Sequence, residues 1–254
     1  MLLSQSESSR LDPLVSPPPL NLDRSALFLD LDGTLAAIEP TPDAVGPQPR
    51  RNWLLSELSR RLDGRLAVLS GRPLEEIDRI LGETVQSAAG VHGLERRTPA
   101  GERVDLAPHP QLPAVVSILE CFAKGQKGLV VEPKHRSVGL HYRLHPPAAA
   151  ACVDVAERLA AAYGLKLLEG RMVVELRTPG PDKGDALELF MDDAPFAGAT
   201  PVMVGDDVTD EDAFRAAAAM GGFGVLVGDP RPTAARYRLE DPRAVLAWLE
   251  ESID

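Results

Sequence analysis

Of the 254 residues only two are cysteine, Cys121 and Cys152. Two are too few for a disulfide framework, and they point to a reducing compartment. No run of about 18 apolar residues occurs, which excludes a membrane-spanning helix. The opening segment MLLSQSESSR lacks the basic start and apolar stretch of a secretory signal. A cytoplasmic location is the expectation. Basic charge is also short: 27 Lys and Arg stand against 38 Asp and Glu, a formal net charge of -11. That sign discourages non-specific binding to nucleic acid or to an anionic membrane. What is present is ordinary globular composition, 44% hydrophobic and 26% charged. The length suits one large domain or two modest ones.

Residues 1–24 are rich in Ser, Pro and Leu without sustained periodicity, and read as a disordered tail. Ala26-Leu27-Phe28-Leu29 is a short apolar run of the kind that makes a buried parallel strand. Leucines at helical spacing predict a helix near Arg51 to Leu62. A second apolar strand, Leu66 to Leu69, leads into another helix ending near Leu81, and Val85 to Ala89 reads as a further strand. The grammar changes between Pro110 and Arg177, where helix, strand, strand, helix, strand, strand follow one another and the strands alternate in polarity. From Lys183 helices and apolar strands alternate again to the end. The expected fold is therefore α/β: a Rossmann-like doubly wound core over 25–107 and 180–254, with an α+β cap of order αββαββ inserted over 108–179.

Four separated pieces lie where core strands end, the place where open α/β sheets bind ligands. They are Asp30-Leu31-Asp32, Ser70, Lys183-Gly184 and Gly205-Asp206-Asp207-Val208-Thr209-Asp210. Each alone has an ordinary explanation. An Asp in a loop usually caps a turn, and acidic residues suit a helix N-terminus. All four in this order and on these elements make that explanation a poor one.

The sequence resembles the haloacid dehalogenase superfamily of phosphatases. The resemblance is carried by Leu29-Asp30-Leu31-Asp32-Gly33-Thr34-Leu35, Ser70, Lys183 and Gly205-Asp206-Asp207. Forty residues separate Asp30 from Ser70 and 113 separate Ser70 from Lys183, so the cap falls between the second and third motifs. Within that superfamily the chain is similar to trehalose-6-phosphate phosphatases. Ser70-Gly71-Arg72, Gly90-Val91-His92-Gly93-Leu94-Glu95, Glu132-Pro133-Lys134, His141-Tyr142-Arg143, Glu175-Leu176-Arg177 and Asp182-Lys183-Gly184 carry this narrower match.

The resemblance implies hydrolysis of trehalose 6-phosphate through an aspartyl-phosphate. Asp30 would be the nucleophile, and Asp32 the acid that protonates the leaving oxygen and then activates water. Because a dianionic phosphate cannot approach paired carboxylates unaided, Mg²⁺ is the expected cofactor. Its implied ligands are the side chains of Asp30 and Asp206 and the main-chain carbonyl of Asp32. Asp207 and Asp210 would order the loop around it. Ser70, Arg72 and Lys183 would hold phosphate oxygens.

In the cap, period-two spacing puts Val138, Leu140, Tyr142 and Leu144 on one face. The other face collects Glu132, Lys134, His141, Arg143, Glu175 and Arg177. Beside the core motifs, this face reads as one that closes over the site and reads sugar hydroxyls, with Arg143 able to reach the phosphate. It carries few aromatics to stack on bases, which argues against nucleic acid. His92 and Glu95 read equally well as substrate contacts and as hinge residues, and His92 is retained as a substrate-binding candidate. Both cysteines read as small core residues. Two alternatives remain: another sugar-phosphate phosphatase, such as one acting on sucrose phosphate, and a catalytically silent regulatory subunit. The expected partner is a small sugar phosphate, and a trehalose-phosphate synthase partner is left open. Residues 127–145 run against the overall charge, with four basic residues to one acidic, a local balance of +3.

Overall fold

The computed structural model describes residues 14–39, 41–170 and 172–253. The chain begins with β1 (Ser25–Leu29), α1 (Pro49–Arg61), β2 (Leu66–Leu69), α2 (Leu74–Leu81), β3 (Ser87–Gly90), β4 (Glu95–Arg97) and β5 (Arg103–Asp105). Next come α3 (Leu112–Ala123), β6 (Val130–Pro133), β7 (Ser137–His141), α4 (Ala149–Tyr163), β8 (Lys166–Gly170) and β9 (Val173–Arg177). The last part is α5 (Lys183–Met191), β10 (Thr200–Gly205), α6 (Glu211–Ala219), β11 (Phe223–Val227), β12 (Tyr237–Leu239) and α7 (Pro242–Glu251).

Every residue of β1 is buried, because helices cover both faces of its sheet. Leu27 and Leu29 join a core cluster built with Leu54 and Leu58 of α1, Ile77 and Ile80 of α2 and Leu249 of α7. Ala26 and Phe28 point the other way, onto Leu187 and Phe190 of α5 and Phe214 of α6. The eight strands run in the order β12-β11-β10-β1-β2-β3-β4-β5. The first six are mutually parallel, and β4 and β5 add an antiparallel edge. The chain steps outward from β1 to β3 and later returns to β10 on the opposite side of β1. The topological switch point therefore lies between β1 and β10, with Leu29 paired to Val204.

A separate antiparallel sheet, β6-β7-β9-β8, belongs to the inserted segment. Val138, Leu140, Val174 and Leu176 face Val115 and Leu119 of α3 and Cys152, Ala156 and Leu159 of α4. The opposite face is left to polar side chains, as alternation requires.

Several expectations need correction. Residues 14–24 are not a disordered tail. Leu20 is buried in the core, its N–H donates to Ser252 Oγ at 3.0 Å, and Trp248 Nε1 donates to the Pro18 carbonyl at 2.8 Å. The rest of the expected tail, residues 1–13, lies outside the described residues. Strand β7 stops at His141, because the His145 N–H turns back to the Tyr142 carbonyl ahead of Pro146 and Pro147. Leu144 is consequently 78% exposed rather than part of the apolar face. Cys152 is buried in the cap core, whereas Cys121 is exposed on α3. Strands β4, β5 and β12, three residues each, carry no alternating pattern long enough to read. Among the described residues no helix is long and apolar enough to cross a membrane.

Candidate active site

Asp30 follows the last residue of β1 and stays in the sheet's register, its N–H donating to the Val204 carbonyl at 2.9 Å. Its side chain is buried at the switch point. The next turn brings Asp32 back toward Ala36 through Gly33, whose φ is +83°. A Cβ at Gly33 would overlap the carboxylate of Asp206, so glycine is needed for both conformation and space.

Lys183 is the first residue of α5. Asp182 caps that helix by accepting from the N–H groups of Gly184 at 3.0 Å and Asp185 at 3.1 Å, and Asp185 returns a bond from the Asp182 N–H. This capping box fixes where Lys183 leaves the backbone. Gly184 lets α5 approach the Asp212 carbonyl at the start of α6, where a Cβ would come within 2.8 Å. The Lys183 ammonium is thereby placed 2.7 Å from Asp30 Oδ1 and 2.6 Å from Asp210 Oδ1. Lys183 is 2% exposed and Asp210 0%. Burial works against the charged amine, but the two carboxylates outweigh it and raise its pKa.

The loop after β10 is organised by Asp210, whose Oδ2 accepts from the N–H groups of Asp206 at 2.9 Å and Asp207 at 3.0 Å. Asp207 caps the same turn through the Val208 N–H at 2.7 Å. Oxygens of Asp30, Asp206 and Asp210 lie within 4.8 Å of one another. Burial pushes Asp206 up to about 7, and Asp210 and Asp207 add to the rise. Burial also raises Asp30 well above the usual carboxylate range; Lys183 opposes that shift, and Asp210 and Asp206 reinforce it. Three carboxylates with one ammonium form a hard-oxygen set carrying excess negative charge, which suits a dication. Asp210 is already committed to Lys183 and two N–H groups, so Asp30 and Asp206 have the freer oxygens.

The Asp32 side chain turns away from this cluster. Arg72 clasps it through Nε at 2.6 Å and Nη2 at 2.8 Å, while Nη1 reaches Glu76 at 2.6 Å. Ser70 is buried at the end of β2 and its Oγ accepts from the Arg72 N–H at 3.2 Å.

His92 sits beneath the cap in the left-handed region, φ 55°, after Val91 at φ 47°. Such conformations cost on the order of 1–3 kcal/mol each. They are held by bonds from the Val91 N–H to the Arg72 carbonyl at 3.0 Å and from the His92 N–H to the Ser70 carbonyl at 2.9 Å. Burial, reinforced by Lys183, pushes the imidazole down to about 3, so it is neutral. Its Nδ1 is buried with no hydrogen-bond partner. A cavity of about 20 Å³ remains between His92, Lys183 and Thr209 of the core and Lys166 and Leu168 of the cap. That is room for about one water molecule.

On the cap, Lys134 Nζ donates to Glu175 at 2.9 Å and His141 Nε2 lies 2.8 Å from Glu132. The bond to His141 holds Glu132 below the usual carboxylate range, and Lys134 contributes. Arg143 lies beyond the end of β7 on the surface. One expected face residue serves elsewhere, and Glu95 takes the hinge side of its two readings. Arg177 is wholly buried and donates to the carbonyls of Val91, Gly180 and Pro181. Glu95 is an interdomain contact: it accepts from the Leu74 N–H at 2.9 Å and pairs with Arg136 of the cap. The sequence reading also missed Arg231, which donates to the Asp207 carbonyl at 2.9 Å and pairs with Glu211, bracing the acidic loop. A cleft of about 330 Å³ runs from Gly71 and Leu74 to Lys134 and Arg136. It is the roomier space, but the carboxylate cluster lies outside its lining, so the chemistry is assigned by the side chains.

A doubly wound sheet with an inserted α+β cap, carrying Asp30, Lys183 and Asp206 at its switch point, is a haloacid dehalogenase-like fold. The trehalose-phosphatase family model matches residues 28–243, and the chain belongs to that family. It is 36% identical over 235 residues to a probable trehalose-phosphate phosphatase of Sinorhizobium fredii, covering 92% of this chain and 89% of that protein. It is also 36% identical over 241 residues to the trehalose-6-phosphate phosphatase of Escherichia coli, covering 94% and 90%. Among solved structures, a trehalose-6-phosphate phosphatase related protein superposes with a TM-score of 0.73 at 26% identity, covering 89% of this chain and 95% of that one.

Proposed function

We propose that the protein hydrolyses trehalose 6-phosphate to trehalose and phosphate, with Asp30 as nucleophile and Asp32 as acid and base. The carrying observation is Asp30 at the switch point, 2.7 Å from the buried Lys183 ammonium and grouped with Asp206. The side chains of Asp30 and Asp206 and the main-chain carbonyl of Asp32 would hold Mg²⁺. Bound there, Mg²⁺ supplies positive charge that keeps both carboxylates ionised and offsets phosphate charge.

Asp30 attacks phosphorus, the bond to the sugar O6 breaks, and Asp32 delivers a proton to that oxygen. Asp32 then takes a proton from water, which attacks the aspartyl-phosphate and returns Asp30 as a carboxylate with inorganic phosphate. Lys183 and Ser70 hold phosphate oxygens. Arg72 cannot hold Asp32 bidentately and the phosphate at once. The incoming phosphate draws the guanidinium away and leaves Asp32 free to carry its proton.

Glu132, Lys134 and Glu175, with His92 beneath them, recognise sugar hydroxyls. With only about 20 Å³ above Lys183, substrate entry requires the cap to open. A silent regulatory role would fit a chain lacking the reacting groups, whereas Asp30, Asp32, Lys183 and Asp206 are all present. Asp30→Asn should abolish phosphate release from trehalose 6-phosphate while the thermal unfolding transition stays cooperative. Turnover retained in that variant would sink the covalent mechanism.

A further inference from the structure

Arg136 lies two residues after Lys134, at the turn between β6 and β7, and is 3% exposed. All three of its guanidinium nitrogens leave the cap. Nε donates to the Leu106 carbonyl at 2.5 Å, Nη1 pairs with Glu95 and Nη2 with Asp105. Its own carbonyl accepts from the N–H of Thr178 at 2.8 Å and from its hydroxyl at 2.9 Å, and the same hydroxyl accepts from the His109 N–H. Both chain crossings between core and cap, at 106–109 and at 178, are thus tied to one residue. The far oxygen of Glu95 accepts from the Leu74 N–H, the first residue of α2, which directly follows Ser70-Gly71-Arg72-Pro73.

We infer that Arg136 and Glu95 form a positioning latch that sets the sugar-reading edge of the cap relative to the phosphate loop. The bonded path runs from the Lys134 turn through Arg136 and Glu95 to the Leu74 N–H and so to Ser70 and Arg72. A buried guanidinium satisfied on three sides by core groups has a fixed fork geometry, so the cap docks in one register and not a range of them. Misplacement by about 1 Å is enough to cost a large factor in a reaction that depends on orientation. Glu132 and Lys134 sit on the strand and turn that Arg136 anchors. A small phosphate ester without a sugar needs only the core groups. The latch therefore governs selectivity for the disaccharide and not the chemistry. The inference depends on the assignment of Glu132, Lys134 and Glu175 to the sugar.

The test compares trehalose 6-phosphate with p-nitrophenyl phosphate in the full chain. Arg136→Met should raise KM for trehalose 6-phosphate about tenfold or more, leaving kcat and all p-nitrophenyl phosphate turnover within about threefold. Glu95→Gln keeps an acceptor for the Leu74 N–H and should give the same selective loss, so it serves if Arg136→Met fails to fold. The double variant should be no worse than either single one, and Arg136→Lys should recover part of the KM. Equal losses on both substrates, or additive effects of the two changes, would overturn the latch. Glu132→Ala separates the two ideas. An unchanged KM for trehalose 6-phosphate in that variant refutes the sugar assignment, whatever Arg136→Met does.

Discussion

Metal binding at this site should release protons, in an amount set largely by Asp206. Its carboxyl is held up at about 7, against 3.8 for an unperturbed aspartate. A hard dication binds the ionised form. A group of pKa 7 carries about nine-tenths of a proton at pH 6 and about one-tenth at pH 8. Saturating the metal-free protein with Mg²⁺ should release about 0.9 proton from Asp206 at pH 6, falling to about 0.1 at pH 8. Apparent affinity should climb by up to about tenfold per pH unit below 7 and then level off. Asp30, also raised by burial, adds to the release.

Unfolding stability against pH would be a poorer measure, because two buried groups oppose each other. Asp206 is raised in the folded state, so its contribution is fully present below about pH 4 and is lost as pH rises through about 7. At 1.36 kcal/mol per unit the whole loss is about 4 kcal/mol. His92 is depressed from 6.5 to about 3, so its contribution is lost as pH falls from 6.5 toward 3. Between about pH 5 and 6.5 the two slopes nearly cancel. Metal binding leaves His92 neutral on both sides of the reaction, and so isolates the carboxylates. Calorimetric titration with Mg²⁺ at pH 6, 7 and 8, in two buffers of different ionisation enthalpy, counts the protons directly. Release below about 0.3 proton at pH 6, or release that does not fall by pH 8, would refute this account of the site. Asp206→Asn should remove the Asp206 share of the release.

Lys183→Met should strand Asp30 and Asp210 as unpaired buried carboxylates and cost about 3–5 kcal/mol. For a chain of this size that is a fall in Tm on the order of 10 °C, measured metal-free at pH 8, and smaller toward acid pH because burial favours the protonated form of Asp30. Glu175→Ala should raise KM for trehalose 6-phosphate about tenfold and leave p-nitrophenyl phosphate turnover within about threefold. Equal losses in steady-state assays would count against recognition by the cap.

The core strands were legible because β1, β2 and β10 are largely apolar and end directly in Asp30, Ser70 and Asp206. Three such endings, with Lys183 opening a helix, locate a switch point without any view of the sheet order. Alternation exposed the cap sheet as well; it misled past His141, where the chain turns before two prolines, and at Arg177, which is buried against carbonyls of Val91, Gly180 and Pro181. Short charged strands escaped notice: β4 is Glu95-Arg96-Arg97, which carries no pattern separable from a solvated loop. The arginines were the least legible group. Arg72, Arg136, Arg177 and Arg231 all reach partners far along the chain, on Asp32, Glu95, Val91 and Asp207. Nothing in local spacing encodes a contact made 24 to 86 residues away. A pattern can show that a long cationic side chain is present, and only the fold decides whether it meets a phosphate, a carboxylate or a carbonyl.

That distinction also answers how a chain of net charge -11 would take an anionic substrate. Net charge averages over a surface, whereas binding depends on the few groups within reach. At the switch point Asp30, Asp206 and Asp210 share the single Lys183 ammonium, a local excess of two negative charges. Asp206 reduces it by holding a proton near neutrality, its carboxyl raised first by burial and then by Asp210 and Asp207. A dication would cancel the same excess without a proton, leaving Asp30 ionised and able to attack. On the proposed reading, the acidity that discourages nucleic acid at long range is also what would make the site favour a metal at short range. With a metal in place, Lys183 below and the Lys134 side of the cap above would present positive charge to the proposed phosphate ester. Asp32 stands apart from that cluster, its carboxylate clasped by Arg72 until, on the proposed mechanism, the phosphate takes the guanidinium.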